Sequence, residues 1–143
     1  LLGPADVDNP SAISQSTIDS WSNKGYIDYL GSAKDIRKYL SNVDCVVLPS
    51  YYAEGVPKSL LEAGAMGKII VTTDTAGCRD TVDEGVNGFL CQEGNEKDLT
   101  KIISHINSLS SKERLKISSN AISTVKELTD SMAANKYIAA VTY

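Results

Sequence analysis

The stretch that decides the fold is residues 44–73, DCVVLPSYYAEGVPKSLLEAGAMGKIIVTT. It begins with the apolar run DCVVLPS (44–50), continues into a segment of helical character (57–67) and ends with the run KIIVTT (68–73). A continuous apolar run of this length is typical of a strand that is covered on both faces. The order of strand, helix and strand predicts a parallel sheet with a helix packed against it.

The same alternation continues on both sides of this stretch. On the N-terminal side, the pattern predicts a helix at about 14–24, a strand at 26–31 and a short helix at 35–41. On the C-terminal side, it predicts a helical turn near CRDTV (78–82), a strand at 88–91 and three helices at about 96–108, 111–127 and 131–141. The elements together predict an α/β fold with a Rossmann-like open parallel sheet flanked by helices and a helical C-terminal segment.

Length and composition limit the possible classes of protein. With 143 residues, 42% of them hydrophobic, residues 1–143 are expected to form one domain with a core of its own. The net charge of −4 argues against a nucleic-acid binder, which needs a basic surface. Cys45, Cys78 and Cys91 form no CxxC pair, which favours a reducing compartment. The opening LLGP (1–4) reads as the end of a buried strand, so we expect a fragment of a longer protein.

The junction between the first apolar run and its helix is a candidate anion site. Pro57 suits the first helical position, which leaves the amides of Lys58, Ser59 and Leu60 pointing out of the helix start. These amides and the helix dipole together favour a bound phosphate. Because ligands of open α/β sheets lie at the carboxyl ends of the strands, the position of this junction also fits a binding site.

Two glutamates flank that helix start. Glu54 lies just before it, beside Gly55, which allows a ligand to approach the backbone closely. Glu62 lies ~7.5 Å further along the helix axis, about the distance from a phosphate to a neighbouring ribose. A carboxylate can accept paired hydrogen bonds from the vicinal hydroxyls of a sugar. From the residues alone, an equally good interpretation is that Glu62 forms a solvated ion pair with Lys58, worth ~0.3 kcal/mol.

The string PSYYAEGVPKSLLEAGAMGKIIVTTDTAGCRDTVDEGVNGFL (49–90) resembles the donor-binding segment of retaining glycosyltransferases of family four, which use nucleotide sugars and have the two-domain GT-B fold. The hallmarks are an E-x7-E pair, here Glu54 and Glu62, an Ala/Gly-rich helix end, a TTD…G loop and a turn of the DGVNGFL type. The resemblance extends in weaker form from residue 1 to about 107. The nearest similarities are to bacterial capsule and O-antigen (lipopolysaccharide) transferases.

The resemblance implies a role for each residue of the motif. Glu54 is the implied catalytic residue, which contacts hydroxyls of the donor sugar and stabilises an oxocarbenium-like transition state. Glu62 is implied to hold the ribose hydroxyls. The remaining implied donor-binding residues act through their backbone, with Gly55, Val56, Pro57 and Lys58 around the sugar and Ser59, Leu60 and Leu61 at the diphosphate. No metal or other cofactor is expected, because helix amides and basic side chains neutralise the leaving diphosphate.

The resemblance also shows departures from the family pattern. Ile69 stands where the family usually has proline, Asp80 where it usually has glutamate, and Ala76 where a second glycine is frequent. The Arg and Lys with which these enzymes grip the diphosphate at the start of the donor domain are absent from the chain, as is an N-terminal acceptor domain. The chain alone is therefore expected to have little or no transferase activity.

Outside the motif, several side chains are candidates for contact with a donor. Tyr51 and Tyr52 precede Glu54 and could stack on a base or sugar, whereas Asp74 and Thr75 follow the strand at 68–73. Arg79 is a candidate diphosphate partner. The lone His105 and Trp21 are expected to be structural.

The resemblance implies a hexose or N-acetylhexosamine transferase with a UDP-linked donor, which acts in bacterial surface polysaccharide biosynthesis. Its expected partners are the nucleotide sugar and a lipid-linked or oligosaccharide acceptor bound through the missing N-terminal domain, with no nucleic acid. The expected location is the cytoplasm, with peripheral association of the full-length protein at the inner face of the cytoplasmic membrane. The alternatives left open are a GT-B-fold sugar-nucleotide epimerase and a non-catalytic nucleotide-sugar-binding module.

Overall fold

A computed structural model describes residues 1–5, 7–8, 12–50 and 55–141 of the chain, with side chains described as far as Ser131. The chain divides into two compact units, Leu1–Ile36 and Arg37–Tyr143. We call them the N-terminal unit and the sheet unit.

The N-terminal unit contains helix α1 (Gln15–Asn23), which confirms the helix predicted at 14–24. Ser14 caps its start, because the serine hydroxyl accepts a hydrogen bond from the amide of Thr17 at 3.3 Å. Gly25 follows the helix end with a φ of 70°, a conformation that glycine adopts without strain. Ile18 is the buried residue of this helix.

The strand predicted at 26–31 is not formed, so that prediction is wrong. Three bonds hold the segment beside the first residues of the chain, from the Leu1 amino group to the Asp28 carbonyl at 2.7 Å, from the Leu30 amide to the Leu1 carbonyl at 2.9 Å and from the Gly3 amide to the Gly31 carbonyl at 2.8 Å. In a parallel ladder the Gly3 amide would donate to the Leu30 carbonyl instead. The pairing is therefore offset by one residue and does not continue as a ladder.

The sheet unit alternates strands and helices in the predicted order. Its elements are α2 (Arg37–Leu40), β1 (Cys45–Leu48), α3 (Lys58–Ala65), β2 (Ile69–Thr73), a 3-10 turn (Arg79–Thr81), β3 (Gly88–Cys91), α4 (Glu96–Ser108) and α5 (Ser111–Val141). The three strands pair side by side in the order β1, β2, β3, and both pairs are parallel. An open parallel sheet flanked by helices is therefore confirmed.

The central strand β2 is buried along its whole length, as predicted for residues 68–73. By contrast, β1 is shorter than the predicted 44–50 and is not covered on both faces, since Val47 is 40% exposed. The prediction is wrong for β1 because this strand is an edge of the three-stranded sheet. Pro49 also has no amide hydrogen with which to extend the ladder.

Helices cover both faces of the sheet. On one face, Ile69 and Val71 of β2 pack in a cluster with Phe89, Ile106 of α4 and Ile117 of α5. Ile70 points to the opposite face because side chains alternate along a strand, and there it lies against Gly64 of α3. α3 and α4 therefore lie on opposite sides of β2.

The end of the chain is one continuous helix, α5, where two helices were predicted at 111–127 and 131–141. The polar residues between them do not break it. The hydroxyl of Thr129 donates to the Val125 carbonyl at 2.9 Å and that of Ser131 donates to the Leu128 carbonyl at 2.8 Å. Neither Gly nor Pro occurs between residues 111 and 141, so no residue forces the backbone out of the helix.

Candidate functional site

The carboxyl ends of the three strands form the edge of the sheet where a ligand is expected. We call this region the carboxyl edge, comprising Leu48–Ser50, Thr73–Thr75 and Cys91–Gln92. The amide of Asp74 donates to the Cys91 carbonyl at 3.0 Å, which joins the ends of β2 and β3.

Two threonines of β2 join its end to that of β1. The hydroxyl of Thr72 donates to the Leu48 carbonyl, and the hydroxyl of Thr73 donates to the Ser50 carbonyl, each at 2.7 Å. Both side chains are buried. Neither threonine was among the predicted site residues, although two threonines at the end of a buried strand are a usable signal, because a buried hydroxyl needs an acceptor.

Thr75, a predicted donor contact, is buried and lies 3.2 Å from the Thr73 hydroxyl. A hydroxyl has a single proton, and that of Thr73 is directed to the Ser50 carbonyl. The Thr75 hydroxyl is therefore the donor in its bond with Thr73. The structure thus places Thr75 beside the candidate site as part of a chain of hydroxyls.

Asp74 and Arg79, both predicted donor contacts, are paired with each other. Arg79 Nε lies 3.2 Å from Asp74 Oδ1, and Arg79 Nη2 donates to the Asp74 carbonyl at 3.0 Å. Both side chains are more than half exposed, so the pair contributes little to stability. Its effect is to keep a guanidinium group at the carboxyl edge with two of its nitrogens fixed.

Helix α3 starts one residue later than predicted. Pro57 is the N-cap, with extended backbone at φ −66° and ψ 123°, and Lys58 is the first helical residue. The amides of Leu60 and Leu61 both donate to the Pro57 carbonyl, at 3.1 and 3.3 Å. The expectation that the Leu60 amide is free is therefore wrong. Among the described residues, no backbone carbonyl accepts a hydrogen bond from the amides of Lys58 and Ser59.

The side chains at the start of α3 divide by exposure. Pro57 and Leu60 are buried, Val56, Ser59 and Leu61 are half-buried, and Gly55 and Lys58 are exposed. Only the exposed and half-buried members can present side chains to a ligand. Leu60 is fully buried and anchors the helix to the sheet.

Glu62 lies one turn inside α3 and pairs with Lys58, at 3.6 Å between Nζ and Oε1. The Lys58 side chain is 87% exposed, so this ion pair is weak and can open at small cost to admit a ligand. The geometry is therefore compatible with both interpretations of Glu62 given above. Glu54, the implied catalytic residue, and Tyr51 and Tyr52 lie outside the described residues.

The residues predicted to be structural pack accordingly. The ring of His105 meets that of Phe89 edge-on, with centroids 5.4 Å apart. Trp21 is half-buried in α1. His105 also lines an open cavity of about 370 Å³ with Phe89 and Ile117, which includes none of the predicted site residues.

The cysteines show no sign of nucleophilic chemistry. All three are free thiols. Burial, with a smaller contribution from the Asp44 carboxylate, raises the pKa of Cys45 to about 11. Burial and then Asp98 raise the pKa of Cys91. The raised pKa values keep Cys45 and Cys91 as neutral thiols, which are poor nucleophiles.

Among the residues that the structure describes, no three His, Cys, Asp or Glu side chains come together as metal ligands. Likewise, within residues 12–50 and 55–141 no helix combines the length and apolar character needed to cross a membrane.

Comparison with known proteins gives consistent matches. The chain is 37% identical over 138 residues to N,N'-diacetylbacillosaminyl-diphospho-undecaprenol alpha-1,3-N-acetylgalactosaminyltransferase of Campylobacter jejuni, covering 96% of this chain and 35% of that protein. It is 33% identical over 75 residues to the amylovoran biosynthesis glycosyltransferase AmsK of Erwinia amylovora, covering 49% of this chain and 18% of that protein. The chain thus spans about a third or less of these relatives.

A solved structure shares the fold. HepE of Anabaena in complex with UDP superposes with a TM-score of 0.74 at 24% identity, over 88% of this chain and 35% of that one. This likeness confirms the predicted fold. Residues 15–124 match the family model described as glycosyl transferases group 1, and the chain belongs to that family.

Proposed function

We propose that the chain is the donor-binding domain of a retaining glycosyltransferase. In this proposal the enzyme transfers a hexose or N-acetylhexosamine from a UDP sugar to a lipid-linked oligosaccharide during synthesis of a bacterial surface polysaccharide. Support comes from the family match, from the Campylobacter relative, whose name gives a diphospho-undecaprenol-linked acceptor, and from HepE, which was solved with UDP and with UDP-glucose.

The observation that carries the proposal is the start of α3 at the carboxyl edge. Within the described residues the amides of Lys58 and Ser59 donate to no backbone acceptor, Glu62 follows one turn later with a partly exposed side chain, and Glu54 of the E-x7-E motif precedes the helix start in sequence. A diphosphate at the amides and a ribose at Glu62 would use the helix dipole and a carboxylate together. In this proposal Glu54, which precedes the helix start in sequence, contacts the donor sugar.

Arg79 supplies a cation to this site in the proposal. Asp74 holds two of its nitrogens, and the remaining face of the guanidinium is open to solvent. An Arg side chain binds phosphate well because its guanidinium group is planar and can donate two parallel hydrogen bonds to the phosphate oxygens. Arg79 and the α3 amides would neutralise the leaving diphosphate without a metal ion.

The proposed chemistry does not require a nucleophile from this chain. Retention of the anomeric configuration follows when the acceptor attacks the face that the leaving phosphate departs from, with that phosphate assisting. Glu54 stabilises positive charge at the sugar, as a carboxylate near an oxocarbenium-like centre does. In this proposal the acceptor is bound by an N-terminal domain that is not among these 143 residues.

The location that fits the proposal is the cytoplasm, with the full-length enzyme peripheral at the membrane that holds a lipid-linked acceptor. The three free cysteines agree with a reducing compartment.

The test is a calorimetric or NMR titration of the 143-residue chain with UDP, GDP, UDP-glucose and UDP-N-acetylgalactosamine. We expect the UDP compounds to bind, and Glu62→Ala to lower the affinity for UDP about tenfold, through loss of charge-assisted hydrogen bonds. Glu127→Ala is the matched control, because it removes the same charge from an exposed position of α5.

Two outcomes would contradict the proposal. Absence of binding by any of the four compounds at millimolar concentration would remove the donor site. Equal loss of UDP affinity in the Glu62 and Glu127 variants would show that only net charge matters and that Glu62 holds nothing.

A further inference from the structure

The loop that leads into β3 ends with Asn87 followed by Gly88, and Asn87 is the one asparagine of the sequence that a glycine follows. Asparagine is a thermolabile residue. In an open chain, the backbone nitrogen of the next residue can attack the side-chain amide carbon, and a glycine nitrogen is the least shielded because glycine has no side chain. Asn87 is therefore the asparagine of this chain that is most prone to deamidation.

The fold holds the side chain of Asn87 at both ends of its amide group. Oδ1 accepts a hydrogen bond from the Asp83 amide at 2.7 Å, and Nδ2 donates to the Thr81 carbonyl at 3.0 Å. The residue is fully buried. Attack by a neighbouring nitrogen would turn the planar amide into a tetrahedral group and would need water to carry protons. A buried amide held at both ends resists both changes.

The attacking residue, Gly88, is fixed as well. It pairs with Glu84 in an isolated parallel bridge, and its carbonyl accepts the Gly85 amide at 2.9 Å. The backbone amide of Asn87 donates to the Asp83 carbonyl at 3.2 Å. Because the backbone on both sides of the reacting bond is held, the reaction requires that residues 81–88 first open.

A bond from α5 also helps to keep this loop closed. Residues 83–86 are exposed, whereas the residues on either side of them are buried. Asn120 Nδ2 donates to the Val86 carbonyl at 2.9 Å, which ties the exposed part of the loop to α5. This bond can be removed by substitution at Asn120 without a change to Asn87 or Gly88.

We propose that Asn87 is a deamidation site that the folded protein protects and that local opening of residues 81–88 exposes. In the open loop, the Gly88 nitrogen loses its proton to solvent base and bonds to Asn87 Cγ. The bond from Cγ to Nδ2 breaks, and Nδ2 takes up a proton and leaves as ammonia. Water then hydrolyses the succinimide ring at either carbonyl, which gives aspartate or isoaspartate. This inference does not depend on the proposed function.

The products do not fit the closed loop. In aspartate, one carboxylate oxygen can still accept the Asp83 amide, but the other faces the Thr81 carbonyl, which leaves two buried acceptors without a proton between them. Isoaspartate adds a methylene to the main chain directly before β3, where Gly88 is packed against the Ile70 backbone. Deamidation therefore turns a transient opening into a permanent one.

The first test compares the native 143-residue chain with the same chain in guanidinium chloride, both at mildly alkaline pH. Trypsin cleavage after Arg79 and Lys97 releases residues 80–97, so Asn95 is a control in the same peptide as Asn87. By mass spectrometry, we expect Asn87 to react faster than Asn95 when unfolded, and about a hundredfold more slowly when native. Equal native and unfolded rates, or no excess over Asn95 in the unfolded chain, would overturn the inference.

The second test weakens the closure of the loop. Asn120→Ala removes the bond to Val86, so the native rate at Asn87 should rise about fivefold while the unfolded rate stays the same. Val125→Ala is the matched control, because it loosens the contact of α5 with Gly64 and leaves the loop intact. An unchanged rate in Asn120→Ala, or an equal rise in both variants, would show that local opening of this loop does not control the reaction.

The third test examines the product directly. Asn87→Asp should lower the urea midpoint at neutral pH, and the loss should diminish as the pH falls towards the usual aspartate pKa of ~3.9, because a protonated carboxyl can donate to the Thr81 carbonyl. Asn95→Asp brings the same charge to the N-cap of α4 and should stay near wild type. If Asn87→Asp does not fold at neutral pH, its recovery in acid is the readout. Equal midpoints of the two variants at neutral pH, or no recovery in acid, would overturn the one-way opening.

Discussion

The two ends of the sheet are built by different means. At the end where the strands start, which we call the amino edge, neighbouring groups pack closely against Gly64, Gly67 and Gly88, and a Cβ at any of them would collide with a neighbour. At the carboxyl edge, hydroxyl bonds join the ends of β1 and β2, an exposed ion pair lies within the loop after β2, and no described atom lies within 4 Å of a Cβ at Gly55. The amino edge is therefore expected to determine stability, and the carboxyl edge to determine ligand binding.

The largest expected effect is at Gly88, the first residue of β3. A Cβ there would collide with the Ile70 carbonyl oxygen, and backbone in a central strand cannot move aside. Gly88→Ala should lower the free energy of unfolding by about 3 kcal/mol, measured by urea denaturation. Gly55→Ala is the matched control, because no atom of the described residues lies within 4 Å of its Cβ position. Equal destabilisation of the two variants would contradict the division between the edges.

The next effect is at Gly64, where α3 meets α5. An added Cβ would collide with Val125 Cγ2, which belongs to a side chain and can be removed. Gly64→Ala should cost about 1–3 kcal/mol of unfolding free energy. In a double-mutant cycle, Val125→Ala should recover part of that loss, and strictly additive effects would show that the two residues do not meet.

At the carboxyl edge, removal of the guanidinium should change binding and leave stability nearly unaltered. Arg79→Ala should lower the affinity for UDP about fivefold through loss of a charge-assisted phosphate contact. Uridine, which has no phosphate, should bind both forms alike in the same calorimetric titration. Lys101→Ala, which removes one positive charge from exposed α4, controls for net charge. An equal loss for uridine would rule out a phosphate contact.

A further effect, confined to alkaline pH, is expected at the amino edge. Burial raises the pKa of Cys45 from 9.0 to about 11, so the unfolded chain releases this proton before the folded chain does. The contribution of Cys45 to stability is thus complete below pH 9 and is lost as the pH rises to about 11. Urea denaturation across this range should show a steeper fall for the wild type than for Cys45→Ala. Parallel curves would show that the thiol is not desolvated.

The sequence predicted the secondary structure correctly where the local pattern of apolar residues agrees with their burial in the fold. β2 and α4 follow directly from their apolar spacing, and the α3 start lies within one residue of its predicted position. The pattern failed at residues 26–31, because β propensity does not set the register that a ladder needs. The pattern also predicted a break in α5 at polar residues, but their hydroxyls donate hydrogen bonds to carbonyls of the same helix.

The position of the candidate site could be predicted from the sequence, but its hydrogen bonds could not. Motif spacing led to α3 and to Asp74, Thr75 and Arg79, since those positions follow from strand ends. The roles of Thr72 and Thr73 depend on which carbonyl of β1 lies opposite each hydroxyl, and that is a property of the register. The capture of the Leu60 amide by Pro57 likewise depends on backbone angles that residue types do not specify.

Two hydrogen bonds join α5 to the loops that precede β2 and β3. They can form during translation only after α5 has been synthesised. Ser118 donates to the Gly67 carbonyl across 51 residues and Asn120 to the Val86 carbonyl across 34. Contacts of such sequence separation form late. On the ribosome, all three strands emerge before the helix that seals their starting ends, so a nascent chain halted before α5 carries an unsealed apolar sheet and is a natural client for chaperones.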